Sequence, residues 1–230
     1  MKGDIVYSPE GEKIELVDIG ITVLVDNPVV RVWDVTLEGH AQHPWHLHHN
    51  PYVVLSLQGS DGRMDWLDGS PERFISEYRG GAVYRPTSPV HRLTNLRDNI
   101  YQNRLVELKD LGELLPEPLD IGEGARSLEG EVAGPDLADG RRPVLDHPHV
   151  KVWTVDVPGN QSVDLQLAEL PHVLALVDAP DPAQDSAGGV AYHRGGHLDL
   201  ANSSADDQTW FVVELTYLAD LDAVLNGDRA

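Results

Sequence analysis

The chain has 230 residues, enough for one or two domains with a buried core. Its 17 basic and 38 acidic residues give a formal charge of −21 at pH 7, a field that repels nucleic acid and anionic membrane surfaces. With no cysteine, disulfides, thiolate-ligated metals, iron–sulfur clusters and a thiol nucleophile are excluded. The 21 glycines and 16 prolines exceed what a helical protein carries, and Val, Leu and Thr recur in short runs, so a β fold is expected. No apolar leader follows Met1 and no run approaches a membrane-spanning length, which makes a cytoplasmic protein the default expectation.

In chain order, residues 5–7, 13–17 and 21–25 read as short strands separated by Gly- and Pro-containing turns. Asp26-Asn27-Pro28 then turns into a strand over 29–37 that is apolar on both faces for part of its length. The stretch 39–59 follows, with His43, His46, His48 and His49 immediately before the apolar run 52–57. In extended chain His46 and His48 face one way and Leu47 the other, so two imidazoles are presented to one point, as a metal requires. Standing alone, such a pair is equally at home as polar residues on a barrel rim.

Residues 63–67 alternate between Asp-Gly turns, a hairpin signature. Gly80-Gly81 opens a strand at 82–85, residues 86–89 form a turn, and 91–95 and 101–108 supply two more strands. From 110 to 142 the composition shifts to Gly, Pro and acidic residues, read as a linker containing at most a short helix or strand. The chain then repeats itself. At an offset of 120 residues, Val29-Val30-Arg31-Val32-Trp33 matches His149-Val150-Lys151-Val152-Trp153, Gly39 matches Gly159 and Pro51 matches Pro171. At an offset of 107, Asn95 and Val106-Glu107-Leu108 match Asn202 and Val213-Glu214-Leu215. Two copies of one β unit are expected, over 1–109 and 143–230, with the linker as a source of part of the second barrel. Gln166, Ala168 and His172 stand where the first copy has His46, His48 and Tyr52, so the second copy looks emptied of chemistry.

These residues resemble the cupin superfamily, small antiparallel β-barrels (double-stranded β-helix or jelly roll) that bind a metal inside the barrel through two motifs. The first is matched by Gly39, His46, His48 and Gly59, with Tyr52 where the family places a glutamate. The second is matched by Gly80, Pro86, His91 and Asn95, with Ser88 in place of glycine. The resemblance implies an all-β chain of two cupin barrels, a bicupin, with His46, His48 and His91 as ligands of one divalent metal. A neutral three-imidazole site leaves the ion its full charge and an open position, which suits an anionic or chelating substrate, O₂ or water. Some cupin dioxygenases are similar in lacking the glutamate.

The function expected from this is a non-heme Fe(II) dioxygenase acting on a small organic molecule. With Mn(II), Zn(II) or Ni(II), the same site would serve an isomerase, dehydratase or lyase, and a ligand-binding or sensory cupin is a third reading. Tyr52, at a ligand's place, is expected in the pocket as a hydrogen-bond or proton-transfer group, with His49 as a second proton carrier. Arg85 and Tyr84 on the strand before the second motif, and Trp45 beside His46, are the substrate-binding candidates. His43 and His49 are otherwise expected outward or in the loop, Asn95 as a turn tie, and Trp33 and Trp153 as core. His172, His193 and His197 offer a weak second site, but a structural half that covers a sheet edge or makes a homodimer contact is the better reading.

Overall fold

A computed structural model describes residues 2–109, 122–127, 136–179 and 188–219. A small hairpin, β1 (Ile5–Tyr7) with β2 (Lys13–Glu15), precedes the first sheet set. That set comprises β3 (Thr22–Asp26), β4 (Val30–Leu37), β5 (Gln42–His46), β6 (Tyr52–Gln58), β7 (Asp61–Trp66), β8 (Arg73–Ser76), β9 (Ala82–Arg85), β10 (His91–Asn95), β11 (Tyr101–Leu108) and β12 (Ala125–Arg126). One sheet runs β12-β9-β6-β11-β4-β3 and the other β5-β10-β7-β8, and every pairing is antiparallel.

The second set is β13 (Arg142–His147), β14 (Val150–Val157), β15 (Gln161–Gln166), β16 (His172–Leu176), β17 (Val190–His193), β18 (His197–Asn202) and β19 (Gln208–Glu214). Its sheets run β13-β14-β19-β16-β17 and β15-β18. This is the order of the first set, with β13 at the place of β3, β14 of β4, β19 of β11, β16 of β6 and β17 of β9. Among the described residues the hairpin β7–β8 and the strand β12 have no second counterpart. The short strand β12 lies within the 110–142 stretch expected as a linker; residues 110–121 and 128–135 of that stretch lie outside the described residues.

The sequence repeat has a physical reason at the turns. A Cβ on Gly39 would stand 2.5 Å from the Asp98 carbonyl oxygen, and one on Gly159 would stand 2.1 Å from that of Ala205, so both places admit only glycine. The next residues, His40 and Asn160, have φ of 60° and 56°, the left-handed region that His and Asn tolerate better than most. Asn95 donates from Nδ2 to the Glu38 and Asn99 carbonyls while its Oδ1 receives Arg97 N–H. Asn202 does the same with Val157, Asp206 and Ser204. Each asparagine staples a turn to a strand end.

The long sheets pack face to face. Val32, Val53 and Val106 of one meet Val152, Val173 and Val213 of the other in a single cluster that is the largest core of the molecule. Alternate residues of the same strands point the opposite way, into separate interiors: Val54 and Leu105 in the first set, Leu174 and Val212 in the second. Complete burial of a Val or Leu is worth ~1.5–3 kcal/mol, so the seam is a main source of stability for both halves. Polar groups close it. Tyr217 donates its hydroxyl to the Val29 and Lys109 carbonyls, and Arg104, fully buried, pairs with Asp34 and donates to Gly188 O at 2.9 Å.

Candidate metal centre

His46 ends β5 and His91 begins β10, and the two are direct cross-strand partners with ring centroids 4.3 Å apart. Between that pair and the next, His43 with Leu93, β5 carries an extra residue, a β-bulge that rotates the strand. His48 follows in the loop to β6, its ring 5.1 Å from His46 and 5.2 Å from His91. One potential ligand atom from each of the three lies within 4.8 Å of the others, and all three side chains are buried. No other such group occurs among the described residues.

The local chain sets the tautomers. His46 donates from Nδ1 to the Pro44 carbonyl at 2.7 Å, and His91 from Nδ1 to the Pro89 carbonyl at 2.8 Å. In each ring this leaves Nε2 as the lone-pair nitrogen and fixes the ring plane. The Nδ1 atom of His48 is buried without a hydrogen-bond partner among the described residues, a cost that a bound cation or its ligands would remove. Burial, reinforced by the neighbouring imidazoles, holds His46 and His48 well below the usual histidine range, and burial brings His91 to about 4. Three neutral imidazoles, two with their planes tied by backbone, fit a divalent ion of the borderline type.

The three histidines line a small cavity of about 40 Å³ whose apolar wall includes Val35, Val54 and Leu105. It has room for roughly three water-sized groups. Tyr52 stacks on His48 with centroids 4.0 Å apart and hydrogen-bonds Ser88; burial pushes its phenol above the ordinary range. Arg85, the cross-strand partner of Tyr52, also faces the cavity. Glu77 lines it from the segment after β8, its carboxyl receiving Tyr101 O–H at 2.9 Å and Ser56 O–H at 3.1 Å. Burial raises the Glu77 carboxyl, opposed by those bonds and by the charges of Arg85 and Arg126. Burial, then the charge of Glu77, raises Tyr101 well above a normal phenol.

Of the residues singled out from sequence, His46, His48, His91, Tyr52 and Arg85 meet at this cavity. Tyr84 does not: strand alternation turns it into the seam, where it stacks on His147 at 3.7 Å. Trp45 lies outside the barrel under the Arg92 guanidinium, 4.7 Å from its ring centroid. His49 is exposed on an outer groove with Asn50 and Glu107, on the far side of the chain from His48. His43, expected outward, is buried against the cavity, because the bulge brings it to the same face as His46; its Nε2 donates to the Asp18 carbonyl at 2.9 Å. Glu77 and Tyr101 carry no motif and were not legible; only the even spacing of Tyr101, Asn103 and Leu105 along one strand face hinted at the latter.

In the second copy, His172 and His193 are cross-strand partners, and His172 Nε2 lies 3.5 Å from Glu214. His197 is on the surface, paired with Asp164 at 2.7 Å. The three do not converge.

Neither a family model nor a curated protein matches the chain. Solved structures do. AerE from Microcystis aeruginosa is similar at 9% identity over 84% of this chain and 96% of its own, with a TM-score of 0.55. Vicilin from hazelnut, Corylus avellana, is similar at 10% identity over 82% and 75%, with a TM-score of 0.54. A mutant of Bacillus subtilis oxalate decarboxylase is similar at 11% identity over 82% and 69%, with a TM-score of 0.51. At these identities the likeness concerns the fold: the chain has the all-β, antiparallel jelly-roll architecture of cupin-domain proteins.

Proposed function

We propose that the protein is a two-cupin, metal-dependent enzyme that holds one divalent ion on His46, His48 and His91 of its first sheet set and acts on a small organic anion. The carrying observation is the meeting of three buried, neutral imidazoles with one arginine in a small, largely apolar cavity. When bound there, Fe(II) would supply electrons to O₂, and a redox-inert ion would polarise a carbonyl or hydroxyl.

The chain's own residues define the rest. Arg85 would grip an acid group of the substrate by a two-point guanidinium contact and set its direction of entry. Tyr52, held against His48 and bonded to Ser88, offers a phenolic O–H to a substrate oxygen. The Val35, Val54 and Leu105 walls limit water and strengthen each of these polar contacts.

The leading reading is an Fe(II)-dependent dioxygenase. Protein purified without added metal should carry iron, and the iron form should consume O₂ in step with substrate loss. Undiminished turnover under strict anaerobiosis overturns it. A second reading, an isomerase, dehydratase or lyase using Mn(II), Zn(II) or Ni(II), is favoured by one observation: Glu77 is a carboxyl at the cavity wall whose pKa burial raises, a group suited to moving a proton rather than oxygen. Activity of the Zn(II) or Mn(II) form without O₂ would select it; a strict iron requirement would reject it.

A further inference from the structure

A second cavity of about 310 Å³ adjoins the first, with Ile75, Glu77 and Arg85 common to the two walls. It opens between the free edge of the four-stranded sheet, β8, and the edge of the long sheet formed by β9 and β12. Three arginines line it: Arg73 from β8, Arg85 from β9 and Arg126 from β12.

The pleat explains their convergence. Arg126 is the cross-strand partner of Val83, whose side chain packs into the first interior, so Arg126 and Arg85 share the inward face as diagonal neighbours within reach of long side chains. Arg73 lies on β8 at the same parity as Ile75, which lines both cavities. The charge of Arg85, then burial, then the charge of Arg126 lower Arg73 from the usual arginine range, which places the three in one field.

The charge balance is against the trend of the chain. At a formal −21 there are ample carboxylates to pair every arginine, and Arg31, Arg63, Arg79, Arg92, Arg97 and Arg104 are paired. The Arg73, Arg85 and Arg126 guanidinium groups make no ion pair and no hydrogen bond among the described residues. Two acids share the cavity wall, Glu77 and Glu123. The Glu77 carboxyl is engaged by hydrogen bonds from Tyr101 and Ser56. Three like charges facing one cleft, with no carboxylate paired to them among the described residues, form a field that attracts an anion.

We infer that this cavity is the outer half of the substrate site and selects small organic molecules with two acid groups, one for Arg85 beside the histidines and one for Arg73 and Arg126. The inference rests on the site proposed above and names its substrate class. Guanidinium forks fit carboxylate and phosphate alike, so the second acid group is defined by charge and planar or tetrahedral oxygens rather than by element. The second sheet set shows no counterpart to β8 or β12 among the described residues.

The test is calorimetric titration of the full chain, both as purified and metal-stripped, at low ionic strength and pH 7 with acetate, succinate and phosphonoacetate, the last carrying one carboxylate and one tetrahedral phosphonate. At least one of the two dianions should bind ten times or more tighter than acetate, in both metal states, and which one does identifies the second acid group. Arg73→Gln and Arg126→Gln should each weaken that dianion at least fivefold and leave acetate unchanged, with thermal midpoints unaltered because both side chains are exposed. Arg126→Lys should recover part of the loss. Binding of both dianions within twofold of acetate, or indifference of the dianion to both Gln variants, overturns the inference. Failure of the metal-site reading shows separately, as protein that retains no metal while the stripped form keeps its dianion preference.

Discussion

Arg104 and Asp34 form an ion pair inside the seam between the two sheet sets, with Arg104 wholly excluded from water and donating also to the Gly188 carbonyl. Asp34→Ala is expected to cost about 3–5 kcal/mol in urea-induced unfolding, since it takes the paired carboxylate away from a buried guanidinium. Replacing the pair together, Asp34→Leu with Arg104→Met, should cost clearly less than Asp34→Ala alone. Equal losses for the single and double variants would show that the pair is not the seam's polar closure.

The three-histidine centre predicts a graded response to alanine. His91→Ala and His46→Ala should reduce bound metal to under a tenth of the parent's content in elemental analysis. His43→Ala should retain most of it, because His43 is committed to the Asp18 carbonyl. Added metal should raise the thermal midpoint of the parent by mass action and leave that of His91→Ala unmoved. A parent protein whose midpoint ignores every divalent ion would count against the site.

Tyr52→Phe separates two roles for the phenol. Stacked on His48 and buried, Tyr52 should be replaceable by Phe without loss of metal or fold, while turnover falls roughly 10²-fold or more if its O–H serves the reaction. Loss of metal in Tyr52→Phe would instead identify the phenol as a ligand.

Glu77 makes a prediction about pH. Its folded pKa is raised above the unfolded value by burial. Across the interval between the two values Glu77 binds more proton in the folded than in the unfolded state, so its own contribution to stability falls as pH rises from the ordinary glutamate value of 4.5 through the folded pKa. His46, His48 and His91, held below the usual histidine range, act in the opposite sense, so the Glu77 contribution is read as the difference between the parent and Glu77→Gln. That difference should fall with rising pH, and Glu77→Gln should be at least as stable as the parent at pH 7. A difference that rises with pH there would contradict the burial of the carboxyl.

Much of this was legible in the sequence, for reasons that can be named. The strand at 30–37 and its echo at 150–157 were visible because one hydrophobic pattern recurs at a fixed offset, and the long sheets preserve that register residue for residue. His46, His48 and His91 were visible through motif spacing, and Asn95 through its place at a turn. What escaped was anything that depends on a break in alternation or on a partner from elsewhere in the chain. The bulge in β5 swung His43 inward, where strict alternation sets it opposite His46. Alternation along β9 allowed only one of Tyr84 and Arg85 to reach the cavity, and the sequence could not say which face was the seam. Glu77 and Arg126 sit outside any motif, on segments whose position is fixed only when β8 and β12 find their sheet edges.

The common core of the two sheet sets has a consequence for inheritance. The residues facing the second interior, Leu174 and Val212, serve that half alone and are free to drift together. Those facing the seam, Phe211, Val213 and Val173, answer to both halves at once. Neither unit could therefore be discarded alone, because cutting one away would leave an entire apolar sheet face of the other in water. Each half is the other's wall.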